Sequence, residues 1–273
     1  MLLRDLSSSK EDQGDIQNAI PLCELSLEIC KEKLGPDHLD TATSLNNLAG
    51  LYQSQGRFGE AEPLYVEALK IRKTELGDRH PDTAGSLNNL AFLYESQGRY
   101  GKAKPLYVEA LKICKTELGD RHPTTASSLG NLAKLYRLQG RYSEAEPLCV
   151  EALEIHKTVL GDCHPDTATS LNNLAELYRS QKRYTEAISL LENWQTIKTE
   201  RGETQSQSYA IRVRTLGNLY EKCQQFSQAL ASYEQSLLIL SRELGAKHPV
   251  VLILKGEMGR LKKRMRKKAK RRQ

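Results

Sequence analysis

Residues 41–79, TATSLNNLAGLYQSQGRFGEAEPLYVEALKIRKTELGDR, decide the architecture of this chain. In the first half, Leu45, Leu48, Ala49 and Tyr52 fall at i, i+3, i+4 and i+7, which gathers them on one helical face. Gly56 follows, matching the preference for glycine just past a helical C-terminus. In the second half Ala61, Tyr65, Ala68 and Leu69 form another stripe. Pro63 is expected in its first turn, where the missing N–H would break no intrahelical bond. Gly77 closes this helix and Pro81 opens the next. The segment reads as two helices and a loop, with no strand signal.

The pattern recurs every 42 residues: His38, His80, His122 and His164 keep that step, and His248 follows after two more. Gly14, Gly56, Gly98 and Gly140 share it, as do Ala19, Ala61, Ala103, Ala145, Ala187 and Ala229. Segments 38–79 and 80–121 agree at 34 of 42 positions, which marks recent duplication. What persists in the diverged segment 206–247 is therefore the better guide to packing: Leu216, Leu219, Tyr220, Phe226, Ala229 and Leu237. Ala49, Ala61 and Ala68 beside Tyr52 and Tyr65 let helices approach and interlock. One pair cannot bury such a face alone, so the units must stack.

The expected fold is an all-α, right-handed superhelical solenoid of about six 42-residue helix-turn-helix repeats. A partial unit over 1–37, its first helix clipped, precedes units 38–79, 80–121, 122–163 and 164–205. The diverged unit 206–247, a capping helix over 248–261 and a basic tail over 262–273 follow. Trp194 stands where Ala68, Ala110 and Ala152 sit in other units. An indole there overpacks, so a widened junction is expected before the diverged unit.

The net charge of +6 is a property of one end. Residues 262–273 carry nine Lys or Arg and no acid; the remainder has 31 basic and 34 acidic residues, net −3. Polyanion binding is thus expected only at Lys262, Lys263, Arg264, Arg266, Lys267, Lys268, Lys270, Arg271 and Arg272, the partner being nucleic acid or an anionic surface. No aromatic residue lies among them to stack on bases, which argues against sequence-specific reading. The six cysteines contain no C-x-x-C pair and are expected as free thiols. No apolar run of membrane-spanning length and no secretory signal is present, so the expected location is cytoplasmic.

The Leu48, Ala49, Tyr52, Ala61, Tyr65 and Ala68 pattern resembles the tetratricopeptide (TPR) signature, with Leu45 where that signature often has Trp. The longer period, with LNNLA-x-LY, QGRY-x-EAEPLY and LG-x-x-HPDT, resembles kinesin light chain, over about residues 11–255. The resemblance implies a non-catalytic scaffold that couples cargo to a microtubule motor or modulates its ATPase. Kinesin heavy chain would be the partner and the cytoskeleton the place. Kinesin light chains hold that partner through an N-terminal heptad coiled coil. Three or four heptads do not fit before the first repeat, so attachment by that route is not expected of these residues.

Opposite the packing face of the first helices lie Asn47, Asn89, Asn131 and Asn173, each with a donor and an acceptor suited to the main chain of an extended peptide. In the resembling family an Asn at the place of Asn47 contacts bound peptide. Asn46, Asn88 and Asn172 adjoin this row. Lys134, nearby, would favour an acidic ligand. No cofactor is expected, and no metal: only His164 has a Cys beside it among five equivalent loop histidines, which points to a turn or cap role. His156, which replaces Arg72 and Cys114, is expected to be exposed. No nucleophile elbow or phosphate loop is present, so no enzyme activity is expected.

Overall fold

The computed structural model describes residues 16–270, which are helical apart from short connections and contain no strand. The clipped first helix and Gly14 lie outside the described residues. Two compact units divide after Gln139. The first holds α1 (Ile16–Leu34), α2 (Leu39–Ser54), α3 (Phe58–Leu76), α4 (Pro81–Ser96), α5 (Tyr100–Leu118) and α6 (Pro123–Leu138). The second holds α7 (Tyr142–Leu160), α8 (Pro165–Ser180), α9 (Tyr184–Glu200), α10 (Gln207–Lys222), α11 (Phe226–Leu244) and α12 (Pro249–Lys270). Within each unit every helix packs on the next, and in the first unit α4 also touches α2 and α6.

The buried positions follow the sequence pattern. Ala49, Ala61 and Ala68, with Ala91, Ala103 and Ala110, are fully buried, and Leu45, Leu87 and Leu129 lie beneath them. Each such leucine stabilises the stack by about 1.5–3 kcal/mol, while the alanine methyls set how closely the backbones approach. In the second unit one continuous core runs from Ala168 to Leu261.

The LG-x-x-HPDT loop works as a two-sided clip. Gly77 takes a φ of 91° that a Cβ would oppose. His80 is the N-cap of α4, its Nδ1 accepting the Asp82 N–H at 3.1 Å. Pro81 occupies the first turn, and Thr83 Oγ1 donates to the Gly77 carbonyl at 2.9 Å, tying the new helix to the end of the old one. His38, His122 and His164 cap in the same way, and Thr41, Thr125 and Thr167 tie in the same way.

A second repeated link joins neighbouring 42-residue repeats. Tyr94 Oη donates to Glu62 at 2.8 Å, Arg99 pairs with Glu62 at 2.7 Å, and its guanidinium lies 4.5 Å from the Tyr94 ring centre. The Arg99 hydrogen bond holds the Glu62 carboxyl below the usual carboxylate range. Tyr52 donates to Glu24 under Arg57, and that hydrogen bond pushes the phenol up to about 12.

The diverged region departs from this scheme. Trp194 is buried and stacks on Tyr209, with ring centres 5.5 Å apart. Tyr209 stands where Thr41, Thr83, Thr125 and Thr167 make their ties, so an aromatic pair replaces a methyl and a hydroxyl at one junction. Gly217 replaces the alanine of Ala49, because a Cβ there would lie 2.7 Å from the Tyr233 ring. Two turn glycines are also lost: Lys182 and Gln224 hold left-handed φ values of 64° and 61°, where Gly56, Gly98 and Gly140 sit at 71–75°.

α12 continues through Lys270 instead of stopping near Leu261. No Pro or Gly follows Gly259, Lys and Arg are good helix formers, and cations suit the C-terminal end of the helix dipole. The basic segment is thus the last turns of the capping helix over its described part.

Restoring glycine should relieve the left-handed backbone: Lys182→Gly is expected to gain about 0.5–1 kcal/mol in urea unfolding, whereas Gly98→Ala should lose at least as much. Trp194→Ala should cost about 3–5 kcal/mol through the cavity it leaves. Adding Tyr209→Thr should cost less than the two single changes together, by about 0.5–1.5 kcal/mol, because the stacked pair is removed as a whole.

Candidate functional site

The first unit brings Asn47, Asn89 and Asn131 to corresponding places on α2, α4 and α6, with Asn89 exposed and the other two half-buried. Asn89 Nδ2 reaches Asn46 Oδ1 at 3.5 Å, at the limit of a hydrogen bond. The amides of Asn47 and Asn131 have no hydrogen-bond partner among the described residues, nor does that of Asn173, which occupies the same place on α8 in the second unit.

The neighbouring asparagines do a different job. Asn46 is buried and donates to the Ala42 carbonyl and to Ser86 Oγ, at 3.2 and 3.4 Å, so it links α2 to α4. Asn88 Nδ2 donates to Ser128 Oγ at 3.3 Å, linking α4 to α6. Gly130 replaces this residue in α6. Two amide oxygens, Asn88 Oδ1 and Asn172 Oδ1, are buried without a partner. An unpaired buried acceptor costs free energy until something donates to it.

Lys134 is already engaged. Its ammonium lies 2.6 Å from Glu95, whose side chain is 3% exposed, and 4.5 Å from the centre of the exposed Phe92 ring. Tyr107 Oη donates to the same carboxylate at 3.3 Å. Gln53 fills the place of Glu95 in the preceding unit, taking a hydrogen bond from Tyr65 and giving one to Ser96, with no cation required.

Sequence reasoning missed Arg72. It rises from α3 between α2 and α4 and donates to the Asp82 carbonyl at 3.1 Å, Ser86 Oγ at 3.0 Å and Thr43 Oγ1 at 3.5 Å. All its hydrogen bonds go to neutral oxygens, and burial lowers its pKa from the usual arginine value. Gly85, which stands where Thr43, Ser127 and Thr169 carry side chains, lies beside the guanidinium. At the equivalent place His156 is buried, not exposed, with Nδ1 2.7 Å from Ser170 Oγ; Cys114 meets Ser128 in the same way. This position faces the next first helix, so the shorter Cys114 and His156 are covered, whereas the longer Arg72 is only half-buried.

The basic residues separate by face. Lys262 pairs with Glu234 at 3.2 Å, Arg264 pairs with Glu221, and Lys268 contacts Gln224 at 3.4 Å. Lys263, Arg266 and Lys267 make no such contact among the described residues. Lys270 is helical, with its side chain outside the description, and Arg271 and Arg272 lie outside the described residues. Among the described residues no disulfide joins the six cysteines, no cluster of three or more His, Cys, Asp or Glu could hold a metal, and no helix is long and apolar enough to cross a membrane.

Helix pairs repeated every 42 residues define a helical-repeat scaffold of a kind typical of protein–protein interaction. The chain belongs to the tetratricopeptide repeat family, which matches residues 1–74, 41–116, 82–148, 135–193 and 214–250. No curated protein matches it in sequence. Among solved structures it is similar to BtubC (BKLC) from P. vanneervenii, at 28% identity and a TM-score of 0.69, over 86% of this chain and 94% of that one. A Podospora anserina protein described as a kinesin light chain with nearly identical TPR-like repeats is also 28% identical, with a TM-score of 0.58, over 73% and 94%. The apo form of RapI shares the fold at 15% identity and a TM-score of 0.61, over 99% and 98%.

Lys134→Ala should leave Glu95 buried without its cation and cost about 1–3 kcal/mol in urea unfolding. Adding Glu95→Gln should recover most of that loss, because Gln53 fills the same place unaided.

Proposed function

We propose that the first-helix face of the first unit holds an extended peptide segment of another protein, and that the chain acts as a non-catalytic adaptor. The observation that carries this reading is the set of unengaged amides: Asn47 and Asn131 have no hydrogen-bond partner among the described residues, and the buried Asn88 Oδ1 has none there either. A peptide main chain supplies a donor and an acceptor at each residue, which is what such a row can pair with. Arg72 is the cation open to an acidic side chain on this face, since Lys134 is matched by Glu95. The likeness to kinesin light chain-like structures supports cargo as the held segment and kinesin heavy chain as the motor it is coupled to.

The test starts from a displayed library of random twelve-residue peptides selected on the whole chain. Each selected peptide is titrated against Asn47→Ala, Asn131→Ala and the double variant. Each lost hydrogen bond should cost on the order of 1 kcal/mol, about a fivefold loss of affinity per site, with the unfolding midpoint unchanged. Arg72→Gln should weaken acidic peptides more than neutral ones. Peptides that bind all four variants like the parent would place the site elsewhere.

A further inference from the structure

The end of the second unit carries a separate cleft of about 770 Å³ between the C-terminal turn of α10, the start of α11 and the last turns of α12. Lys222, Arg264, Lys267 and Lys268 line it against a single carboxylate, Glu221. Arg264 is tied to Glu221, while Lys222 and Lys267 are exposed and have no ion-pair partner among the described residues. The side chains of Arg264, Lys267 and Lys268 share one face of α12 by their i, i+3 and i+4 spacing. Lys263 and Arg266 do not line the cleft. α12 therefore presents one wall of a closed-in basic site as well as a general basic surface.

We propose that this cleft binds an acidic peptide segment, rich in Asp or Glu side chains, of a partner protein. Four cations facing one carboxylate make it complementary to a polyacid. Asn218 and Gln224, also in the wall, can pair with a peptide main chain. A nucleic acid fits less well. The cleft contains one aromatic ring, Phe226, and Arg264 and Lys268 already stand 5.2 and 5.0 Å from its centre, so it is not open for a base to stack on. Glu221 serves as the internal occupant of Arg264, which an incoming carboxylate must displace.

The whole chain is titrated with fluorescein-labelled hexaglutamate. Lys267→Gln/Lys268→Gln should weaken binding about tenfold, whereas Lys263→Gln/Arg266→Gln, which removes the same charge outside the cleft, should change it by less than about twofold. Glu221→Gln should tighten binding about threefold, because it removes the competing carboxylate and frees Arg264, and damage to the fold cannot produce a gain. A labelled twelve-residue oligothymidylate should bind more weakly than hexaglutamate and lose affinity equally with both lysine-face variants. Equal effects of the two variants on hexaglutamate, no tightening by Glu221→Gln, or a preference for the oligonucleotide in the cleft would each overturn the proposal.

Discussion

The structure depends on close backbone approach at alanine. Where Ala49 meets α3, and at the same place in the following repeats, a single methyl group fills the gap between two helices. A pair held this closely still exposes the far side of its second helix, so each unit is completed only by the next. The clip of His, Pro and Thr between units follows from that need: it fixes where the next helix begins, and so whether its alanines arrive in register.

Once register is fixed this way, the residues that hold it leave the opposite face of the first helices chemically free. The place after the asparagine row shows this, being Gly50, Phe92 and Lys134 in the first unit and Glu176 and Asn218 in the second. Some of this variety is consumed internally: Lys134 is drawn to Glu95, and Glu176 to Arg179 and Arg212. The asparagines at Asn47 and Asn131 are not consumed. Residues on this face can therefore vary without touching the alanines that keep the chain folded.

The diverged region shows what that scheme tolerates. Trp194 is accepted because Tyr209 changed with it, and Gly217 yields the space that the Tyr233 ring takes. At the first contact both side chains are larger than their counterparts and stack on each other; at the second a methyl is lost beside the ring. At α12 the apolar places of Leu45 and Tyr52 become Lys255 and Lys262, and both are exposed. That face has no second helix to bury it among the described residues.

The sequence by itself determined the helices, their pairing and their buried stripes, because apolar spacing and turn residues are local properties repeated every 42 residues. It also placed the loop histidines as caps and the asparagine row on the unburied face. Only the tertiary structure decided which side chains remain available. Asn46 and Asn88 became links between helices, Lys134 a partner of Glu95, His156 a buried residue and Arg72 a half-buried cation between α2 and α4. It also showed the basic segment as a helix with one face turned to a cleft. These outcomes depend on contacts between residues about 14 to 43 positions apart, whose partners lie on other helices. A periodic pattern places each residue on its own helix but carries no record of what the neighbouring helix sets opposite it.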